Sequence, residues 1–254
     1  MVMRDITLLF YPEPLKKVPL SRVYRICKEY GINFHNDSKL PYDLHIFWSY
    51  TKCRIIPDGF TLNAKDCINK GCWDVGKERV NDIFNDIRID PTIFKGICVE
   101  KLDLQGRHGS HHLIECPAKE REGYIYQKYI ENKEGDLFYK YRIYYADGIN
   151  YILKSYKPNP FGSECVRHEL IDKNQLFTIE QEQDFHKKCK EFGFDFGEID
   201  AMVDKGKLII IDVNNVVGGG FVWGLTGTQL HKDIDYTFIK FLEKRINDKT
   251  SEIC

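Results

Sequence analysis

The stretch at residues 197–220, GEIDAMVDKGKLIIIDVNNVVGGG, limits what this chain can fold into more than any other segment. Two apolar runs, at 199–203 and 208–213, flank the polar sequence DKGK. Apolar runs on either side of a short, glycine-containing polar segment are typical of a β-hairpin. Three glycines at 218–220 follow the hairpin, and they allow the backbone to approach a ligand closely.

One face of this hairpin is predicted to carry only oxygen-bearing side chains. Because side chains alternate along a strand, a turn centred near Gly206 places Asp200 opposite Asp212 and Glu198 opposite Asn214. Carboxylates at a cross-strand distance of roughly 5 Å repel each other unless a cation lies between them, and hard oxygen ligands suit Mg²⁺ or Mn²⁺. The alternative is a solvated acidic face. The residues predicted for the opposite, apolar face are Ile199, Ala201, Val203, Ile209, Ile211 and Val213.

Composition limits the classes of function that remain. With 254 residues, 43% of them hydrophobic, the chain can bury a substantial core. A net charge of −1 gives no electrostatic case for nucleic-acid binding, which requires a clustered basic surface. No stretch approaches the roughly 20 apolar residues of a membrane span, and the N-terminal apolar run is too short for a signal peptide. We therefore expect a folded cytoplasmic protein.

The cysteines and histidines do not favour a zinc site. Nine cysteines include no C-x-x-C pair, and most lie among apolar neighbours. We expect them to be reduced packing residues. His108, His111 and His112 cluster without a cysteine or an acid at zinc-finger spacing.

Apolar periodicity and turn residues predict a chain of mixed helices and strands. A strand at 6–10, a helix at 21–30 and a strand at 43–48 suggest a short N-terminal α/β lobe. The other predicted strands are at 96–100, 113–116, 124–130, 137–147 and 149–157, and the other predicted helices are at about 75–86, 180–192 and 228–244. The segment 158–174 is expected to be a long polar loop.

Two lysines lie where they could contact phosphate. Lys101 ends the strand GICVEK just before a loop that contains glycines and a serine, so its ammonium and backbone N–H groups could surround phosphate oxygens. Lys77 begins a predicted helix. The alternatives are an ordinary hairpin tip for Lys101 and a surface lysine for Lys77. Arg142 and Lys154 lie within predicted strands, where a solvated face is the alternative.

The order of these features resembles the ATP-grasp superfamily, and in particular the D-alanine:D-alanine ligases and related carboxylate–amine ligases. The resemblance is carried chiefly by IDVNNVVGG after GFDFGEIDAMVD, and it covers about residues 65–224. It implies an α+β, ATP-grasp fold in which two α+β subdomains clasp ATP. The expected domains are the short lobe at 1–62 and the ATP-grasp domain at 63–254, the latter divided into a lysine and phosphate-loop subdomain at 63–123 and a hinge and metal-binding subdomain at 124–254.

The resemblance also implies roles for individual residues. Asp200, Asp212 and Asn214 would be the metal ligands, for Mg²⁺ or Mn²⁺. The residues implied at the nucleotide are Lys77 and Lys101 at the phosphates, Gln127 at the adenine amino group, and the backbone of Lys128, Tyr129 and Ile130 at the ring edge. Arg142 would help hold the γ-phosphate or acyl phosphate, and Arg142 and Lys101 are the catalytic candidates.

The function that the resemblance implies is an ATP- and magnesium-dependent ligase that activates a carboxylate as an acyl phosphate and joins it to an amine. One alternative is an ATP-grasp kinase acting on a polyol or sugar phosphate, for which His108, His111, His112, Arg167 and His168 would provide a basic pocket. Another is a non-catalytic nucleotide-binding protein. The expected partners are ATP, a small-molecule carboxylate and an amine acceptor, without nucleic acid or membrane. The oligomeric state stays open, with a homodimer among the alternatives.

Overall fold

The computed structural model describes residues 6–15, 22–49, 67–85, 87–102, 111–162, 164–216 and 228–251. The helices are α1 (Arg22–Tyr30), α2 (Lys77–Ile83), α3 (Ile179–Phe192) and α4 (Gln229–Ser251), and a 3-10 helix spans Lys173–Gln175. The strands are β1 (Thr7–Pro12), β2 (Asn33–His35), β3 (Leu44–Trp48), β4 (Cys67–Ile68), β5 (Gly96–Leu102), β6 (His111–Cys116), β7 (Tyr124–Lys128), β8 (Lys133–Glu134), β9 (Leu137–Ala146), β10 (Ile149–Lys157), β11 (Arg167–Ile171), β12 (Phe196–Asp204) and β13 (Lys207–Asn214). The predicted α+β class is confirmed.

The N-terminal lobe is built on a four-stranded parallel sheet in the order β2-β1-β3-β4. All five residues of β3 are buried, as expected for a parallel strand covered on both faces. Val23 and Ile26 of α1 contribute to its core, and so do Phe238 and Leu242 of α4. Because β4 lies beyond the boundary predicted at residue 62, this sheet includes a strand from the following segment.

A separate three-stranded antiparallel sheet has the order β6-β5-β7. Cys98, Cys116 and Tyr126 form the small core on one face. The register pairs Val99 with Gln127, so that Gln127 and Lys101 share the opposite face. The subdomain boundary predicted between residues 123 and 124 therefore falls between two strands of one sheet, and the predicted hinge strand lies with the strand that carries Lys101.

The largest sheet has the order β11-β10-β9-β12-β13, with β8 paired to the end of β9. Its apolar face packs against α2 and α3, and Ile143 and Ile199 are fully buried there. On its other face α4 covers Tyr144 and Leu153 through Ile234. The candidate site lies on the rest of that second face, where Arg142, Asp200 and Asp212 are in register.

Two sequence predictions in this sheet are wrong. Residues 158–174 are not one long loop, because β11 pairs with β10 and the 3-10 helix follows it. The predicted places of Ile209 and Ile211 on the apolar face are also wrong. A bulge in β13 pairs Ala201 with Ile210, so Ile210 enters the core instead, and Ile209 pairs with Met202 on the other face. The side chain of Asn85 fixes this bulge, because its Oδ1 accepts from Ile210 N at 2.8 Å and its Nδ2 donates to Ile210 O at 3.3 Å.

Helix α3 has well-formed ends. Thr178 and Gln181 form a capping box at its start, and Gly193 ends it in the left-handed conformation at φ +70°. A Cβ on Gly193 would lie 2.7 Å from Gly71 Cα, so glycine is needed for this close backbone contact as well.

Within the described ranges, the cysteines are free and all except Cys165 are buried, which fits their expected role in packing. No helix in that part of the chain is both long and apolar enough to cross a membrane.

Candidate functional site

The polar face of the large sheet brings together side chains from three strands. Asp200 on β12 is in register with Asp212 on β13 and with Arg142 on β9. Glu198 is in register with Asn214. Residues that are directly paired on antiparallel strands point to the same face. The predicted positions of Asp212 opposite Asp200 and of Asn214 opposite Glu198 are therefore confirmed.

Asp200 is held by two cations from β9. Arg142 Nε lies 2.7 Å from Oδ1, Arg142 Nη2 lies 3.1 Å from Oδ2, and Lys140 Nζ lies 2.5 Å from Oδ2. Burial alone would raise the pKa of Asp200, but Arg142 and Lys140 lower it well below its usual range. The hairpin face carries the predicted acids and amide, but β9 supplies cations beside them, which were not predicted from the sequence.

A second buried carboxylate, Glu198, extends these ion pairs across the sheet. Arg142 Nη1 lies 2.6 Å from Glu198 Oε2, and Arg22 Nη1 of α1 lies 3.6 Å from Oε1. Arg22 also pairs with Asp235 of α4. Burial raises the pKa of Glu198, and the two guanidinium groups oppose that rise. Arg142 thus bridges two carboxylates, and its contact with a γ-phosphate stays a prediction.

Asp212 and Asn214 differ from Asp200 in having no such partners. Neither side chain forms a hydrogen bond or an ion pair with any residue in the described ranges. A carboxylate oxygen and an amide oxygen without partners among the described residues, beside an ionised Asp200, form a donor set that suits Mg²⁺. Among the described residues, no group of three His, Cys, Asp or Glu side chains is placed to hold a metal, and the predicted set includes only two residues of those types.

The two predicted phosphate lysines lie at this same site. Lys101 and Lys77 are both buried, which excludes the surface-lysine alternative for Lys77. Burial lowers the pKa of Lys101 to about 8, and the ammonium of Lys77 adds to that decrease. Asp212 and Asp200 raise the pKa of Lys101, so the two carboxylates lie close enough to this ammonium to interact with it electrostatically. The side chain of Lys101 has no hydrogen bond or ion pair in the described part of the chain.

The predicted adenine contacts lie along the end of β7. Gln127 is 1% exposed, and its Nε2 donates to Asn81 Oδ1 at 3.1 Å. Its Oε1 has no hydrogen-bond partner among the described residues, so this buried acceptor could receive an amino group. The backbone N–H of Lys128 already donates to Ile87 O at 2.9 Å. The N–H of Ile130 has no acceptor in the ranges that the structure describes, and it is therefore available to a ligand.

A small cavity of about 20 Å³ lies beside this hinge. Tyr129 and Ile130 line it from the hinge, Met202 from β12, and Lys140 and Lys157 from the large sheet.

Three residues near the site were not predicted from the sequence. Lys140 stands two positions before Arg142, so strand alternation could have placed it on the same face. Asn81, which contacts Gln127, lies one helical turn after Lys77. Lys157 carries no local signal. Its ammonium donates to Gly162 O at 2.5 Å, and burial together with Lys140 lowers its pKa.

Those basic residues favouring a kinase that the structure describes do not form one pocket. His111 and His112 line an open cleft with the loop around Phe161. Arg167 stacks on Tyr156 at 3.9 Å, on the face opposite the candidate site, and His168 lies 2.9 Å from Ser155 Oγ through its Nδ1. His108 and the glycines at 218–220 lie outside the described residues.

Comparisons with known proteins give a fold and no sequence relative. No family model matches the chain, and no curated protein sequence matches it. A solved D-alanine–D-alanine ligase from Bacillus anthracis superposes with a TM-score of 0.57 at 11% identity, covering 97% of this chain and 98% of that chain. The ATP-grasp ligase PsnB, solved with a minimal precursor, gives 0.57 at 12% identity, covering 95% and 100%.

A third solved structure has the same fold. The macrocyclase MdnC from Microcystis aeruginosa MRC, bound with the precursor peptide MdnA, gives a TM-score of 0.50 at 12% identity, covering 92% of this chain and 99% of that chain. At these identities the likeness establishes the fold alone. The chain has an ATP-grasp fold that resembles that of carboxylate–amine ligases, and the expectation drawn from the hairpin signature is confirmed.

Proposed function

We propose that this protein is an ATP- and magnesium-dependent ligase that activates a carboxylate as an acyl phosphate and joins it to an amine. The observation that carries the proposal is the meeting of Lys101 and Lys77 with Asp200 and Asp212 around one site in an ATP-grasp fold. The buried ammonium of Lys101, which has no bonded carboxylate in the described part of the chain, favours an anion, and unpartnered oxygen ligands favour a cation. Magnesium triphosphate supplies both.

Different residues of the site bind the adenine, the phosphates and the metal. Gln127 Oε1 accepts from the adenine amino group, and Ile130 N–H donates to the ring edge. Lys77 and Lys101 bind phosphate oxygens. Asp212 and Asn214, with Asp200, would hold Mg²⁺, which supplies charge neutralisation at the transferring phosphoryl group.

The proposed chemistry has two steps. A carboxylate oxygen of the substrate attacks the γ-phosphorus, the bond to the β,γ-bridging oxygen breaks, and ADP leaves. The amine then attacks the acyl carbon, inorganic phosphate leaves, and the nitrogen loses a proton. Lys101 stabilises the negative charge on the phosphoryl oxygens in the first step, because its ammonium is preorganised in a buried position.

Two features support a ligase over the alternatives. The solved structures of similar fold include a D-alanine–D-alanine ligase and an ATP-grasp ligase, and one is a macrocyclase bound with a precursor peptide. A kinase acting on sugar phosphates would need the basic residues at 108–112 and 167–168 in one pocket, whereas Arg167 contacts Tyr156 on the opposite face.

The first test is calorimetry with a non-hydrolysable ATP analogue. We expect tight binding with Mg²⁺, much weaker binding in EDTA, and loss of about 2 kcal/mol or more in the Lys101→Ala variant. The matched control is Lys173→Ala, which removes an exposed lysine that pairs with Glu182 on the opposite side of the sheet. Equal affinity with and without Mg²⁺ would exclude the metal assignment.

The second test distinguishes a ligase from a kinase. The protein is incubated with ATP, Mg²⁺ and a metabolite extract, with and without hydroxylamine. An acyl phosphate is trapped as a hydroxamate that appears with ADP, whereas a phosphate ester is not. Phosphate esters that appear together with ADP, without any hydroxamate, would favour the kinase.

A further inference from the structure

We propose that Lys140 keeps the divalent cation away from Asp200 until nucleotide binds, so that the metal site forms only around bound phosphates. The inference rests on the proposed function for the identity of the site. It adds that nucleotide binds before the metal or together with it. It also names Lys140 as the residue that imposes this order.

The carboxylate of Asp200 is paired with two cations of β9. Lys140 Nζ lies 2.5 Å from Oδ2, and Arg142 donates to both oxygens at 2.7 and 3.1 Å. A carboxylate offers about four lone-pair positions, and three of them receive donors here. The side chain of Asp200 is only 7% exposed, so water screens these charge interactions little.

A magnesium ion at Asp200 would lie close to this ammonium. Mg²⁺ binds carboxylate oxygens at about 2.0–2.1 Å in nearly ideal octahedral geometry. An ion bound to Oδ2 would therefore share that oxygen with Lys140, and the two cations would repel each other in a site of low polarity. If Asp200 does not bind the metal, the remaining predicted ligands are Asp212 and Asn214, which together carry a single negative charge.

Nucleotide phosphates change this balance. The site already brings several buried ammonium groups together, since Lys101 lies within electrostatic range of both Lys77 and Lys140, and Lys157 lies within range of Lys140. Phosphate oxygens bound among these lysines give Lys140 a second anion to bind. Moving Lys140 from Asp200 to a phosphate frees a lone pair on Oδ2 for the metal.

Lys140 is the residue that can move, and Arg142 is not. Arg142 is 11% exposed and is bonded to Glu198 as well as Asp200, which fixes its guanidinium plane. Lys140 is 21% exposed and has a flexible four-carbon stem. Arg142 therefore holds Asp200 in place while Lys140 exchanges partners.

The test measures Mn²⁺ binding by electron paramagnetic resonance, without turnover. We expect nucleotide-free wild type to bind Mn²⁺ weakly, and Lys140→Met to bind it at least tenfold more tightly. Adding Asp212→Asn to Lys140→Met should return the affinity to the wild-type level. The matched control is Lys154→Met, because Lys154 makes an equally short 2.5 Å bond to Glu134 on the other face of the sheet. That control should bind Mn²⁺ as wild type does.

A non-hydrolysable ATP analogue completes the design. It should increase Mn²⁺ affinity strongly in wild type and by a smaller factor in Lys140→Met, because the two ligands are coupled through this lysine. Equal nucleotide-free affinities of wild type and Lys140→Met would overturn the inference while leaving the proposed function intact. Failure of wild type to bind the analogue at all would instead contradict the proposed function. If Lys140→Met does not melt cooperatively, Lys140→Gln, which keeps a hydrogen bond without the charge, replaces it.

Discussion

Asp200 and Asp212 are identical residues in paired positions, yet their surroundings give them different tasks. Three donors from β9 surround Asp200, whereas Asp212 has no hydrogen bond or ion pair with any described residue. Removing the charge of Asp200 would take the carboxylate from Lys140 and leave Glu198 as the one carboxylate bonded to Arg142 among the described residues. Asp212 can therefore be neutralised without such damage, and it is the better position at which to separate folding from chemistry.

We predict that Asp212→Asn folds normally and loses activity. Stability should stay the same or increase slightly, because one of two neighbouring negative charges is removed. Turnover should fall by a factor on the order of 10² or more, as loss of one preorganised electrostatic contact typically gives. Thermal melting without metal, beside ADP release with metal and substrate, measures both effects. Wild-type turnover in this variant would remove the hairpin from the active site.

Lys101 gives a pH-dependent prediction, because its folded pKa of about 8 lies below the value of an unfolded lysine. Between about pH 8 and pH 10.4 the unfolded chain binds more protons than the folded protein, so this group makes stability rise with pH. Below pH 8 both states are protonated, and the folded state bears the full penalty of a buried charge. Lys101→Met should thus be more stable than wild type at pH 7, and the difference should shrink by pH 10. Urea unfolding of both proteins at the two pH values measures it.

The same lysine should take up a proton when nucleotide binds above pH 8. Phosphate oxygens favour the ammonium form, and so they raise the pKa of Lys101 in the complex. Calorimetry at pH 8.5 in buffers of different ionisation enthalpy should show proton uptake in wild type and much less in Lys101→Ala. Identical uptake in the two proteins would show that another group titrates.

Strand alternation in the sequence was sufficient to pair Asp200 with Asp212 and Glu198 with Asn214. It was not sufficient to find Lys140 as their counter-ion. That contact depends on β9 lying beside β12, and the two strands are separated by β10, β11 and α3 in the chain. Local patterns carry no information about such pairing, so an acidic face was predicted where the sheet has a mixed one.

At the scale of single elements, the β12–β13 hairpin shows where pattern analysis stops. The run Leu208–Ile211 is apolar without alternation, so it contains no signal for the bulge. Because of that bulge, Ile210 lies in the core and Ile211 does not. The bulge is fixed from outside the hairpin, by the side-chain amide of Asn85. Strand β11 was missed for a similar reason, since the short and polar RHELI becomes a strand by pairing with β10.

Gly197 offers a test of how tightly this hairpin is built. Its φ is +153°, and a Cβ there would lie 2.3 Å from Asn214 O and 2.7 Å from Phe194 Cζ. The backbone oxygen belongs to the paired strand and cannot move away independently. We predict that Gly197→Ala destabilises the protein by about 3 kcal/mol or more, which combines backbone strain with a steric clash.

Gly206 is the matched control for that substitution. It lies in the hairpin turn at φ +80°, and no atom lies within 4 Å of the position that a Cβ would take, so Gly206→Ala should cost only about 1 kcal/mol. Urea unfolding of the two variants compares them directly. Equal effects would mean that the Asn214 end of β13 yields easily, which would argue against a preorganised position for Asn214.

At the scale of the whole molecule, the three sheets do not correspond to three independent units. Phe196 of β12 and Phe238, Phe241 and Leu242 of α4 lie in the same core as the parallel sheet of the N-terminal lobe. The short lobe predicted at residues 1–62 therefore depends on the end of the chain for its hydrophobic core. This dependence could not be predicted from the apolar stripe of α4, because periodicity shows that a helix is buried without showing what covers it.

The final prediction concerns Arg22, whose ion pairs connect the N-terminal lobe to the candidate site. Arg22 is 3% exposed, pairs with Asp235 of α4, and lies 3.6 Å from the carboxylate of Glu198. Replacing it by methionine leaves two buried carboxylates short of a counter-ion. Removal of one partner of a buried ion pair typically costs about 3–5 kcal/mol, and we expect Arg22→Met to fall in that range.

Arg25, on the same helix, provides the control. It is partly buried, and its Nη2 lies 3.4 Å from His231 Nε2, so Arg25→Met should cost about 1 kcal/mol or less. Combining Arg22→Met with Asp235→Leu should restore part of the loss, because one of the uncompensated charges is then removed. Both single variants should still unfold in one transition, since α4 and Phe196 unite the lobe with the large sheet. A separate early transition of the lobe in Arg22→Met, with the remaining sheets melting as in wild type, would show that the shared core does not make the molecule one cooperative unit.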